Sequence, residues 1–215
     1  MYILGINAYH GDSSACLLHN GKIIAATEEE RFKRIKHWAG FPAEAIAFVL
    51  REGNIAITDL DYIAISRDPS ANLAKKASHV LKNMVSLKAI KDRLGNRKKI
   101  GSVKGELSSI FGIEEEKITA ELINVEHHRS HLASAFYPSP FEESAILSID
   151  GFGDFSSTMT AVGKGTKIDV LDSVTYPHSI GVFYTSLTQY LGFPHYGDEY
   201  KVIGLAPYGE PKYVD

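Results

Sequence analysis

Residues 3–18 read ILGINAYHGDSSACLL, and residues 146–161 read ILSIDGFGDFSSTMTA. The two stretches align without a gap at an offset of 143, with identities at Ile3/Ile146, Leu4/Leu147, Ile6/Ile149, Ser13/Ser156 and Ser14/Ser157. Asn7 falls opposite Asp150, and aromatic Tyr9 falls opposite Phe152. Five identities in the first twelve positions point to a duplication rather than to two hairpins of similar composition. Each copy predicts a strand, a polar Gly-containing turn, a second strand, a turn and a third strand. The first strand of each copy ends in an amide or a carboxylate followed by that turn. Such turns offer backbone N–H groups to phosphate, while the Asn or Asp can hold a metal or a sugar hydroxyl.

Working outward, the first copy predicts strands at Tyr2–Ile6, Ser14–Leu18 and Lys22–Thr27, the last two joined at the hairpin signal His19-Asn20-Gly21. A charged stretch, EEERFKRIKH (28–37), follows, then an amphipathic helix over Ala43–Arg51 and a buried strand over Leu60–Ile65. In the acid cluster Glu28, Glu29 and Glu30, internal ion pairing that positions the neighbouring cations is the expected role. Residues 71–104 hold ten Lys or Arg against the single acid Asp92, with Leu73, Val80, Met84, Leu87 and Leu94 at helical spacing. That pattern predicts a helical insertion with a solvated basic face. A strand at Glu121–Val125 leads into a helix over His127–Tyr137, stopped by Pro138 and Pro140. The second copy predicts a strand at Ser144–Asp150 and two more to about Val174, then a helix over Gly181–Leu191. The final EYKVIGLAPYGEPKYVD (199–215) is rich in Gly and Pro.

The duplication resembles the architecture shared by actin, hexokinase and Hsp70. The expected fold is therefore α/β, an actin-like, ribonuclease H-like (ASKHA) mixed sheet with helices and a truncated second repeat. The first subdomain is expected over 1–143, with the basic insertion at about 70–107, and an incomplete second subdomain over 144–215.

Composition narrows the function. With 44% hydrophobic and 23% charged residues, net charge −3 and a pI near 6.3, the chain has the balance of an ordinary globular protein. Neither nucleic acid nor an anionic membrane is the expected partner. Cys16 is the only cysteine, so no intrachain disulfide can form, and a reducing, cytoplasmic setting is expected. The opening MYILGINAYHGDSS lacks the pattern of a signal peptide, and no apolar run reaches membrane-spanning length.

One constellation carries chemistry. In EHHRSH (126–131), His127 and His131 stand at i and i+4 of the expected helix, so both imidazoles leave one face about a turn apart. Asp150, at the end of a neighbouring strand, can complete a set of two imidazoles and a carboxylate. Such a set suits Fe(II), Zn or Mn. Residue reasoning alone leaves capping or surface roles open for His128 and His131. There is no phosphate-binding Walker loop, no Gly-x-Ser-x-Gly elbow and no His-Glu-x-x-His.

Five segments in order, LGINAYHGDSSACLL, EEERFKRIKHWAGFP, VEHHRSHLASAFYPSPF, SIDGFGD and YGDEYKVIGLAPYG, resemble the hallmark segments of the NodU/TobZ/CmcH O-carbamoyltransferases. The resemblance covers nearly the whole chain apart from the basic insertion. It implies the amino-terminal, TsaD-like part of an enzyme whose carboxy-terminal YrdC-like domain, absent here, makes carbamoyl-adenylate from ATP and carbamoyl phosphate. The carbamoyl group then passes to a hydroxyl of a sugar or natural product. Carried onto this sequence, His127, His131 and Asp150 match metal ligands, and His10 and Lys36 match catalytic positions. Asp12, Arg31, Arg34, Gly151, Gly153 and Lys201 are the expected substrate- or nucleotide-binding residues. Neutral His10 could take the proton of the attacking hydroxyl, and Lys36 offers charge to a phosphate or oxyanion. Two other readings stay open: a tRNA threonylcarbamoyl transferase-like protein, and a non-catalytic metal- or nucleotide-binding module. Acceptor identity, the choice of metal and oligomeric state are not fixed by these residues, although an oligomer is compatible with them.

Overall fold

The computed structural model describes residues 1–82 and 103–212. Contacts divide the chain into two compact units, Met1–His127 and His128–Asp215.

The first unit is built on a five-stranded sheet of β1 (Tyr2–Asn7), β2 (Ser14–His19), β3 (Lys22–Glu28), β4 (Tyr62–Ile65) and β5 (Glu121–Asn124), in the order β3-β2-β1-β4-β5. Strands β1 and β2 pair antiparallel, as do β2 and β3, whereas β1 pairs parallel with β4 and β4 with β5. Only β2 runs against the rest. That order with that single reversal is the ribonuclease H-like arrangement, so the actin-like, mixed α/β expectation holds on topology. The turn at Asn20-Gly21 has positive φ at both residues (50° and 80°), which matches the strand twist of a two-residue hairpin.

Alternation along β1 and β2 sends Leu4, Ile6, Ala15 and Leu17 to one face. Helix α2 (Ala43–Glu52) lays Ala45, Ile46, Val49 and Leu50 on that face. Short helix α1 (Glu30–Lys33) precedes it. Each fully buried Leu or Ile here contributes about 2 kcal/mol. Helix α2 has no side-chain cap of its own, because Pro42 precedes it. Its first N–H groups go instead to buried Glu29, whose carboxylate accepts from Ala45 at 2.8 Å and Glu44 at 3.3 Å. Opposite charge at a helix N-terminus is favourable. Glu28 and Glu29 also pair with Arg31 (3.5 Å) and Lys33 (3.8 Å), the ion pairing expected of the acid cluster. Of the basic insertion expected at about 70–107, helices α3 (Leu73–Lys82) and α4 (Val103–Phe111) are described, and 83–102, with Met84, Leu87 and Leu94, lie outside the described residues.

The second unit holds α5 (His127–Phe136, its first residue counted with the first unit) and the antiparallel sheet β6 (Glu143–Gly153), β7 (Ser156–Lys164) and β8 (Lys167–Thr175). Its pairing repeats that of the first unit. Adding 143 to both partners of Ile3↔Leu18 gives Ile146↔Ala161, and adding it to Ile6↔Ala15 gives Ile149↔Thr158, both observed. The register slip between Leu17 and Leu18 recurs, on the same offset, between Thr160 and Ala161. The copies part after the first strand. The expected turn around Gly151 is instead a continuation of β6 to Gly153, with the pairing irregular between Ile149 and Gly153.

Helix α5 covers the face of β6 that carries Ile146 and Ser148, with Leu132 and Phe136 in the core beside Met159 and Ala161. Gly163 makes room for it, since a Cβ there would lie 2.6 Å from the Phe136 ring. The counterparts of Leu4 (0% exposed) and Ile6 (3%) are Leu147 (60%) and Ile149 (49%), so the duplicated strand buries its opposite face. Helix α6 (Ile180–Tyr190) packs on β6. Within the Gly- and Pro-rich end, Glu199–Leu205 forms helix α7. The run EYKVI reaches more than a turn before its first glycine, and Asp198, Thr185 and Tyr184 hold its start. No helix among the described residues is long and apolar enough to cross a membrane.

Candidate active site

The boundary between units falls one residue into α5, so His127 and His131 ride one helix. Spaced i, i+4, they share a face. Asp150 comes from the irregular stretch of β6, and a ligand atom from each of His127, His131 and Asp150 lies within 4.8 Å of the others. His131 Nε2 and Asp150 Oδ2 are 3.5 Å apart. Two ligands of a tetrahedral cation with bonds of roughly 2.1 Å stand about 3.4 Å apart, so this edge fits a small divalent ion. Bulges are common beside functional sites because they re-aim a side chain. Here the irregularity falls on the carboxylate of the cluster.

Two contacts behind the cluster fix its geometry. His128 is fully buried, and its Nδ1 lies 2.8 Å from the hydroxyl of buried Ser148, two residues before Asp150 on the same strand face. On the far side, Ser179 donates to the carbonyls of Asp150 (3.1 Å) and Gly151 (2.8 Å), while its oxygen caps α6 by accepting from the Val182 N–H. Gly181 touches the same strand, where a Cβ would come within 2.4 Å of the Asp150 carbonyl oxygen. The Gly151 N–H donates to Asp150 Oδ1 at 2.6 Å, and Gly153 closes the strand opposite Ser156.

Of the other expected site residues, His10 stands edge-on to His127, with ring centroids 5.7 Å apart. His10 and Asp12 sit in the loop after β1. The Asp12 carboxylate accepts from Nδ1 of His37 at 2.8 Å, and its backbone carbonyl accepts from Asn7 Nδ2 at 2.8 Å. Lys36 is exposed, one residue before His37. Arg31, paired with Glu28, rims a shallow groove of about 410 Å³ floored by Ala15, Cys16, Ala26 and Thr27. Burial pushes the Cys16 thiol pKa up. Arg34 is exposed with a left-handed φ of 58°. Lys201 pairs at 2.5 Å with buried Asp198, whose other oxygen accepts from the His195 N–H. Beside His10, burial raises the Tyr9 phenol pKa, and the hydrogen bond that the phenol donates to Glu106 adds to the shift.

The residues missed by sequence reasoning are His37, His128, Ser148 and Gly181. One signal was available: His128, Leu132 and Phe136 at i, i+4 and i+8 form the buried stripe of α5.

An uncharacterised protein of Synechocystis is 39% identical over 221 residues, covering all of this chain and 36% of the relative. The nodulation protein NolNO of Sinorhizobium fredii is 37% identical over 206 residues, covering 95% of this chain and 29% of the relative. The nodulation protein NolO of Bradyrhizobium diazoefficiens is 52% identical over 85 residues, 40% of this chain and 15% of the relative. The chain thus spans about a third of the length of the first two. Among solved structures, YeaZ from Pseudomonas aeruginosa superposes with a TM-score of 0.43 at 17% identity, over 82% of this chain and 67% of that one. The fold assignment rests on strand order and register instead. The family described as carbamoyltransferase N-terminus matches residues 2–215, and the chain belongs to that family.

Proposed function

We propose that this chain is the acceptor-side part of an enzyme that moves a carbamoyl group from carbamoyl-adenylate to a hydroxyl of a sugar or natural product. The observation that supports this most is the convergence of His127, His131 and Asp150 within one chain of this family. These three residues would hold a divalent cation, Fe(II) or Zn, with Mn also suited to the donor set. Bound there, the cation would supply Lewis-acid polarisation of a carbonyl or phosphoryl oxygen. His10 would accept the proton of the attacking hydroxyl, and Lys36 would offer positive charge to a phosphate or oxyanion. Asp12, Arg31, Arg34, Lys201 and the backbone at Gly151 and Gly153 would contribute to substrate and nucleotide binding. ATP and carbamoyl phosphate would be consumed at a separate, adenylate-forming domain.

The test is elemental analysis after loading with Fe(II), Zn or Mn. Wild type should retain close to one ion per chain, and His127→Ala or His131→Ala should retain far less. Equal retention by wild type and His131→Ala would remove the basis of the proposal. Incubation with ATP and carbamoyl phosphate should give no carbamoyl-adenylate from these 215 residues. Its appearance would place the adenylating site in this chain.

A further inference from the structure

The loop after β1 is gripped by residues 37–41. Tyr9 N–H donates to the Gly40 carbonyl (3.2 Å) and Ser13 N–H to the Trp38 carbonyl (2.9 Å), while the Ser13 hydroxyl donates to Gly40 (2.7 Å). These bonds fix the two ends of a short arch whose middle is His10, Gly11 and Asp12. At the middle, Asp12 is tied across to residue 37, its carboxylate accepting from His37 Nδ1–H at 2.8 Å. His37 is placed for that contact at a backbone cost. Its φ is 54°, a left-handed conformation that non-glycine residues take up sparingly, and its own N–H is held by Glu30 Oε2 at 3.2 Å. Asp12 is fixed from behind as well. Its backbone carbonyl accepts from Asn7, and Asn7 in turn accepts from the Ser66 hydroxyl at 2.8 Å, which ties the arch to the ends of β1 and β4.

We infer that His37 is a positioning residue of this loop: through its bond to Asp12, its imidazole holds residues 10–12 and the backbone that carries His10. The imidazole then acts on the loop through Asp12 rather than by meeting substrate. Because the anchors at Tyr9, Ser13 and Glu30 are backbone bonds or bonds to backbone, they survive loss of the imidazole. The change should therefore be confined to the arch.

The experiment compares His37→Ala, His37→Asn and His37→Gln in the 215-residue chain by backbone ¹⁵N relaxation. An asparagine amide can replace the Nδ1–H donor, whereas a glutamine amide reaches where Nε2 was. In His37→Ala, order parameters of Gly11 and Asp12 should fall from about 0.85 to below about 0.6, with Tyr9 and Ser13 unchanged. His37→Asn should restore them and His37→Gln should not. The His37 ring of wild type should show the tautomer protonated at Nδ1. Unaltered order at residues 10–12 in His37→Ala, or equal rescue by both amides, would overturn the inference.

The relaxation measurements do not depend on the carbamoyl-transfer reading. Within that reading, His37→Ala in the longer enzyme should lower kcat by about 10- to 100-fold with the acceptor KM held, and His37→Asn should restore it. A disordered arch with an undiminished kcat would leave the latch standing and count against His10 as the base.

Discussion

Buried His128 Nδ1 lies 2.8 Å from the Ser148 hydroxyl, and this contact joins the helix of His127 and His131 to the strand of Asp150. The neighbouring positions on each element carry the cluster, so a change here should act on ligand convergence without touching a ligand. Groups behind metal ligands commonly govern affinity by about 10- to 100-fold. Ser148→Ala should weaken metal binding on that scale, read by calorimetric titration. It should also lower stability by about 1–3 kcal/mol, since a buried imidazole loses a partner. Metal affinity equal to wild type would show that the helix is placed by its apolar stripe alone.

Gly181 meets the opposite side of the same strand. A methyl group there would overlap the Asp150 carbonyl, which is backbone and cannot swing away. Gly181→Ala should destabilise the second unit by about 1–3 kcal/mol and reduce metal retention, although Gly181 is no ligand. Urea unfolding followed by metal analysis checks both. Unchanged retention with lowered stability would mean that Asp150 keeps its place when α6 shifts.

Glu29 serves a structural end within a motif of functional appearance. Its buried carboxylate takes the first N–H groups of α2, with Lys33 Nζ 3.8 Å away. Glu29→Ala should cost about 1.5–3 kcal/mol in the first unit, the range for hydrogen bonds to a charged group. Glu29→Gln, which keeps an accepting oxygen, should cost less. Chemical denaturation monitored in the first unit separates the two.

The Asp198–Lys201 pair predicts a pH window for α7. The bond from Lys201 holds the Asp198 carboxyl below its usual pKa, and the same bond lifts the Lys201 ammonium above its own. A lowered acid contributes stability above its ordinary pKa and loses it as pH falls through the folded value. A raised lysine contributes below its ordinary pKa and loses it as pH rises through the folded value. Helicity of residues 199–205, read from ¹³Cα shifts, should be flat between about pH 5 and pH 9 and decline on both sides. Asp198→Asn should abolish both limbs, and limbs that persist would assign the dependence to other groups.

The first-strand repeats, the hairpin at Asn20-Gly21 and the helix of His127 and His131 were legible because each depends on local periodicity. The 143-residue offset went further, since it foretold a shared register that pairing then reproduced down to the slip at Leu17/Leu18 and Thr160/Ala161. Helix α7 was not legible, because glycine and proline disguise a helix that Asp198, Thr185 and Tyr184 start from outside it.

What the sequence determined by itself is the order of the strands and the i, i+4 presentation of two imidazoles, both properties of a few consecutive residues. Tertiary structure alone decided which face of β6 is covered, why Glu29 is buried, and that His37 reaches Asp12. Those outcomes depend on contacts between residues 16 to 25 positions apart, whose sign is set by packing and by which N–H groups a fold leaves unsatisfied.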